Sequence, residues 1–369
     1  MRARIPTLLL IWLALAAAPA AEARVSWIVK GHGFGHGVGM SQYGAYGFAL
    51  HGKGHRFILG HYYRGTTLGK LRQAQIVRVL VDISADDVRF SGARSACGVA
   101  LDPRRAYAAH RVGGSVRLRG PRGRRLASCG RGLRAAGAGR INIGGAIYRG
   151  ALEVVPTESD RGSLNAVNAV PLDQYVKGVI PNESPASWPM AALRAQAIAA
   201  RSFALTGRVD GNGFDLYEDT RSQVYEGMAS EDPRTNRAAD ETRGVVVRYG
   251  GEVAQTFFSA CSGGHTENVE NVFFGPSVPY LVGVPDPYDH LCPLHTWTLR
   301  FSGPEISARL SGYLAGRLER IVVTRRGASP RIVWARLYGT GGVTKIRGDQ
   351  LAAALGGYDR WMTFRKVVD

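Results

Sequence analysis

Acidic residues are scarce in this chain. Its 369 residues hold 29 Asp and Glu against 47 Lys and Arg, a formal net charge of +18, with a sequence pI near 10.2. Such a surplus excludes a preference for cationic partners and draws the chain toward polyanions. It is dominated by arginine and spread along the chain, so a GC-rich genome is a competing explanation. Long apolar runs are also missing. One runs from Leu8 to Ala18, short of the roughly 20 residues a membrane-spanning helix needs, and nothing later approaches that length. Cysteine is sparse at four, so this is no disulfide-dense miniature scaffold. The length suffices for two or three domains with a substantial core. No long repeat or disordered tract is evident.

Residues 1–23 read as a secretory signal peptide. Arg2 and Arg4 precede the apolar run, and Ala21, Glu22 and Ala23 form a small-residue cleavage site; a retained anchor is the alternative. Cleavage removes two arginines and one glutamate, leaving a charge of about +17. The mature chain is then exported, to periplasm, cell wall or extracellular space, with no stable membrane span. There it meets wall polymers, acidic sugars or lipid headgroups rather than nucleic acid. In an oxidising compartment Cys97, Cys129, Cys261 and Cys292 argue for disulfides. The sequence-local pairing is 97–129 and 261–292, each worth about 3.5 kcal/mol in loop entropy.

What is present is organised around residues 178–205, GVIPNESPASWPMAALRAQAIAARSFAL. Glu183 lies in a proline-rich loop that leads into an alanine-rich helix. Pro181, Pro185 and Pro189 stiffen the approach, and Ser187 is placed to cap a helix whose first turn tolerates Pro189. Arg194 and Arg201, seven apart, fall on one helical face and can point at a common groove. A carboxylate just before a helix N-terminus also complements the helix dipole, which is the plain explanation of Glu183.

Upstream, Gly31, Gly33, Gly35, Gly37 and Gly39 alternate with His32, Phe34, His36 and Val38. As a strand this has one bare face, where another backbone or a ligand approaches. It is not a dinucleotide fingerprint, because the spacing is wrong and no βαβ unit surrounds it. Helices are expected over residues 41–50, 56–63, 236–243 and 349–355. Residues 76–155 read as β-structure, with an arginine- and glycine-rich middle over 89–140. Its basic loops read as a solvated face, with polyanion binding as the alternative. Strands are expected at 245–249 and 253–260, the second leading into a glycine turn with Ser259, Cys261, Ser262 and His265.

Three separated stretches resemble the SpoIID/LytB family of stage II sporulation protein D and amidase-enhancer proteins. They are GHGVGMSQYGA at 35–45, PNESPASWPMAALRAQAIAARSFAL at 181–205, and FFSACSGGHTENVENVFFG at 257–275. DTRSQVYEG, ETRGVVV and RGDQLAAALGGYDRWMTF also fit. The order departs from the sporulation proteins, where the GHGVGMSQ stretch usually lies near the C-terminus; here it comes first. No motif covers the segment holding Cys97 and Cys129.

The resemblance implies a lytic transglycosylase acting on MurNAc–GlcNAc strands of peptidoglycan, with Glu183 as its single acid and base. It places Arg194, Arg201, Gln223, Tyr225, Ser259, His265, His36, Ser41 and Gln42 around the substrate, with structural roles as the alternative for each. Asp219 is the nearest thing to a second carboxylate, with capping as its alternative. No cofactor is expected. A zinc set of Cys261, His265, Cys292 and His295 competes with the 261–292 disulfide. A glycan-binding amidase enhancer is the rival function, and polyanion or nucleic-acid binding through the arginine-rich segment is a third. The expected fold is α+β, a mixed core around the alanine-rich helix with a β-rich insert lobe and a groove between them. The expected divisions are 24–75, 76–155 and 156–369.

Overall fold

The computed structural model describes residues 25–84, 87–158 and 162–368; the signal peptide expected over residues 1–23 lies outside them. Period-two alternation builds the main sheet. In Tyr107–Val112, Tyr107 and Ala109 are buried between less buried neighbours, and in Ser115–Arg119 Val116 and Leu118 are. Eleven strands assemble this way. From one edge they run Leu216–Tyr217, Ile76–Ser84, Leu164–Pro171, Ala151–Pro156, Leu133–Ile143, Asp87–Ala96, Tyr107–Val112, Ser115–Arg119 and Arg125–Ser128, with Val99–Ala100 and Ala146–Arg149 paired beside the path. All are antiparallel except Leu216–Tyr217 on Ile76–Ser84. The sheet crosses residue 155 without a break, since Ala151–Pro156 pairs with Leu164–Pro171. Cys97 and Cys129 are bonded, their Cα atoms 5.4 Å apart.

The alanine-rich helix, Met190–Thr206, is interior on both sides. Ala192, Leu193, Ala197, Ala200 and Ala204 pack into the sheet's core. Ala195, Ile198 and Ala199 join a second core with Val38, Met40, Ile58 and Val247. A helix apolar all round belongs inside, and alanine lets both cores approach its backbone. Its start differs from expectation. Pro189 is the N-cap, with no side-chain cap, and its carbonyl accepts from the Ala192 and Leu193 amides at 2.9 and 3.2 Å; Ser187 lies outside and caps nothing. Glu183 closes a separate turn, Ile180–Glu183, so the dipole of the long helix does not account for it.

A third core ties the ends of the described chain together. Val25–His32 is the middle strand of an antiparallel sheet between Thr296–Ser302 and Trp361–Val368, with Val25 opposite Val368. Neighbouring ends are what a reordered glycine-rich stretch requires. Leu318–Arg326, Ile332–Gly339 and Gly342–Arg347 form the remaining sheet of this lobe, beside the helix Gly348–Leu355. The fold is α+β. The strand expected over 253–260 survives only as Glu252–Val253 and Phe258–Ser259, because the chain between them turns to the long helix, where Thr256 donates to the Ala199 carbonyl at 2.7 Å. Among the described residues no helix is long and apolar enough to cross a membrane.

Candidate active site

The glycine-rich stretch is not an extended strand. Gly33, Gly35, Gly37 and Gly39 all take positive φ, from +72° to +107°, and the strand ends at His32. The expected bare positions are nonetheless where other groups press in. A Cβ on Gly39 would overlap the Phe257 carbonyl, and one on Gly37 the Arg331 guanidinium; glycine is therefore required at both. The stretch lies against the Cys261 turn through backbone bonds. Phe34 and Cys261 exchange two at 3.1 Å, and the Glu267 amide donates to the Gly37 carbonyl at 2.8 Å. Met40–Ser41 pairs in parallel with Phe258–Ser259.

This docking sets the helix Gln42–Leu50 against the acid turn. Ser41 caps the helix, its Oγ accepting from the Gly44 amide at 3.1 Å and donating to Asp289 Oδ1 at 3.1 Å. The next residue, Gln42, is buried and donates through Nε2 to Glu183 Oε2 at 2.9 Å. Burial raises the pKa of Glu183, while the Gln42 amide and the backbone amide of Val224 pull it back. No second carboxylate appears among the groups that shift it. Beyond the acid, Trp188 stacks on Tyr46 at 4.8 Å between centroids and meets Tyr43 edge-on at 5.1 Å. Arg234 holds that loop, donating to the Ala186 and Trp188 carbonyls at 2.8 and 2.9 Å.

The other expected site residues divide. Arg201 does not reach a groove: it is wholly buried, bonded to Asp173 at 2.8 Å and to the carbonyls of Val245 and Ala239. Arg194, seven residues earlier on the same helix and part-exposed, is paired with Glu241 of the helix Pro233–Glu241. Tyr225 offers no face to a sugar, being 2% exposed, with its hydroxyl on Asn168 Oδ1 at 2.8 Å and its ring against Tyr148 and Tyr175. Gln223 is equally buried; its Oε1 accepts from Tyr175 at 3.1 Å and its Nε2 has no partner among the described residues. Ser259 accepts from the Gly37 amide at 3.2 Å and so fixes the glycine-rich stretch. His36 accepts from the Val38 amide at 3.0 Å, and burial beside Arg331 and Arg360 pushes it down to about 4, so it is neutral. Asp219 is exposed and clamped by Arg221 at 2.7 Å.

Cys261 and Cys292 are joined, which takes both sulfurs from the alternative zinc set. Its histidines are also engaged: His265 Nδ1 lies 2.6 Å from the Thr266 carbonyl and His295 Nδ1 2.8 Å from Asp289 Oδ2.

Sequence reasoning missed the buried polar frame behind this assembly. Asp289 accepts from the Ser262 and Gly263 amides as well as from Ser41. Asp286, pushed up to about 6 by burial and by Asp289, accepts from Tyr62 and Ser262. Arg331, fully buried, bonds Asp359 at 2.6 Å and the carbonyls of Ser262 and His265 at 2.7 and 2.8 Å. None of these has a local spacing signal, because their partners are far away in sequence. Glu218, pushed up to about 7 by burial, Asp219 and Asp82, is a further titratable carboxyl. Two cavities, of about 640 Å³ beside Lys70 and Arg248 and about 870 Å³ between Val25, Phe301 and Leu318, do not border Glu183.

Residues 160–249, which include Glu183, match the SpoIID family, described as stage II sporulation protein. The chain is 30% identical over 213 residues to stage II sporulation protein D of Bacillus amyloliquefaciens, covering 53% of this chain and 60% of that protein. Residues 160–249 are a SpoIID region. It is also 39% identical over 134 residues to the amidase enhancer of Bacillus subtilis, covering 36% of this chain and 18% of that protein. An uncharacterised protein of Brachyspira hyodysenteriae is 38% identical over 183 residues, 49% of this chain and 48% of that one. The chain thus spans about half the length of these curated relatives, and much less of the amidase enhancer.

Proposed function

We propose that this chain is a SpoIID/LytB member and an exported cell-wall remodelling enzyme, a lytic transglycosylase that cleaves MurNAc–GlcNAc linkages with Glu183 as its only acid and base. The observation that carries the reading is the Glu183 carboxyl itself, desolvated, raised in pKa and held by Gln42. An ordinary glycosidase uses two carboxylates. Here one suffices. Protonated Glu183 gives its proton to the glycosidic oxygen as the C1–O bond breaks and the GlcNAc hydroxyl leaves. The resulting carboxylate takes the proton of the muramic C6 hydroxyl, whose oxygen bonds to C1 and closes a 1,6-anhydro ring. No water is consumed and the acid is regenerated. A raised pKa suits a group that must first be an acid near neutrality.

The test is mass spectrometry of products from glycan stripped of stem peptides and from intact peptidoglycan. Glu183→Gln should abolish anhydro-muropeptide release and keep glycan binding, whereas Glu218→Gln should keep both. Full activity in Glu183→Gln would sink the assignment. The likeness to an amidase enhancer favours a second reading, a glycan-binding protein that stimulates a wall amidase without cutting. Wild-type protein that releases no anhydro product from either substrate, yet accelerates an added amidase, would establish that reading instead.

A further inference from the structure

The arginines are less evenly spread than the whole-chain charge suggests. Residues 89–140 hold 13 Arg, no Lys and one acid, Asp102, while the other 317 residues hold the remaining 28 acids. A GC-rich genome trades lysine for arginine but does not strip Asp and Glu from one segment. The strands then sort these charges. Val88, Phe90, Val116 and Leu118 are buried, so Arg89, Arg117 and Arg119, which alternate with them, project from the opposite face. The register aligns them: Arg89 lies opposite Ala108, Ala108 opposite Arg119, and Arg119 opposite Arg125. Three arginines thus fall in register across four strands, with Ala108 between the first two and a bulge just before the Arg119–Arg125 pair. Arg119 has Asp87 at 3.8 Å. Arg89, Arg94, Arg125 and Arg140 are exposed and make no ion pair among the described residues. The Cys97–Cys129 bond braces the same strands.

The chemistry of this face selects among polyanions. The segment's cations are all guanidinium, whose planar fork of donors pairs bidentately with the oxygens of a phosphate. The segment's two aromatics, Phe90 and Tyr107, are buried, so it has no platform on which nucleic-acid bases could stack. Val112 is its one large exposed apolar side chain among the described residues, too little to insert into a lipid surface. We propose that the face carrying Arg89, Arg119 and Arg125 docks a linear phosphodiester polymer of the polyol-phosphate type. The surface does not depend on Glu183; it would hold the protein on an anionic wall polymer whether or not the chain cuts glycan.

Binding of the full mature chain to fluorescently labelled poly(glycerol phosphate) tests this. If about four phosphates are neutralised, affinity should fall about 50-fold between 50 and 200 mM salt. The triple variant Arg89→Gln, Arg119→Gln, Arg125→Gln should weaken binding at least tenfold with Tm unchanged. Arg300→Gln, Arg336→Gln, Arg365→Gln, equal in charge removed, should not. Should the first triple fail to fold, Lys at the same three positions keeps the charge and loses the fork, and binding should still drop about threefold. The proposal is overturned by no binding at 50 mM salt, by equal losses in the two glutamine triples, or by unchanged binding in the lysine triple. Tighter binding to phosphatidylglycerol vesicles or to single-stranded DNA than to the polymer would equally overturn it.

Discussion

At the scale of single residues, Gln42 and Glu183 make the most exposed claim. The Gln42 amide lowers the pKa that burial raises, so Gln42→Leu should raise it further. If Glu183 must be protonated to start the reaction, kcat/KM falls as pH rises through its pKa. The variant's alkaline limb should then move to higher pH, with activity down about 10- to 100-fold as the carboxyl loses its tether. An unmoved limb would dissociate Gln42 from the chemistry. The same shift has a stability sign. A carboxyl with a folded pKa above its unfolded value near 4.3 favours folding while protonated, and that contribution is lost as pH rises through the folded pKa. Glu183→Gln should therefore raise Tm at pH 7 to 8 and leave it close to wild type at pH 4, by calorimetry. Arg201 shows what spacing conceals. Period 3.6 put it on one face with Arg194, but not that this face is interior and that Asp173 was waiting there.

At the scale of elements, the sequence conveyed types better than junctions. The helix beginning at Met190 was legible from its prolines and alanine content, though not from its cap, and the strands after Ile76 from alternation. The glycine run was not, because alternate glycines look the same whether φ is extended or left-handed; contacts with Phe257 and Arg331 decide it. The element most dependent on distant groups is the Cys261 turn, which the Arg331–Asp359 pair fastens to the lobe beyond it. Removing one partner of a fully buried ion pair leaves the other charge uncompensated, at a cost of about 3–5 kcal/mol. Asp359→Ala should lower stability by that order in urea denaturation. The Cys97→Ser, Cys129→Ser double variant should lose about 3.5 kcal/mol but leave the Glu183 site unchanged, since that bond lies in the outer strands.

For the whole molecule, three cores meet around one small-residue helix and one glycine-rich stretch. The motif resemblance indicated which stretches belong together; it could not say that Gln42 touches Glu183, a contact across 141 positions of sequence. Deleting residues 361–368 removes a strand hydrogen-bonded along Val25–His32. It should therefore release the glycine-rich stretch and abolish any activity that needs Gln42, even though neither Gln42 nor Glu183 is deleted. Retained activity in the truncated chain would show that the Thr296–Ser302 strand and the Cys261 turn suffice to hold the stretch in place.

The pairing of Val25–His32 with Trp361–Val368 also fixes when the protein can become competent. A chain made from its N-terminus delivers its glycine-rich stretch early, and the strand Trp361–Val368 that flanks Val25–His32 only much later. Until that strand is in place Val25–His32 lacks one of its two neighbours, so the Gln42–Glu183 contact is completed late in the assembly of the fold.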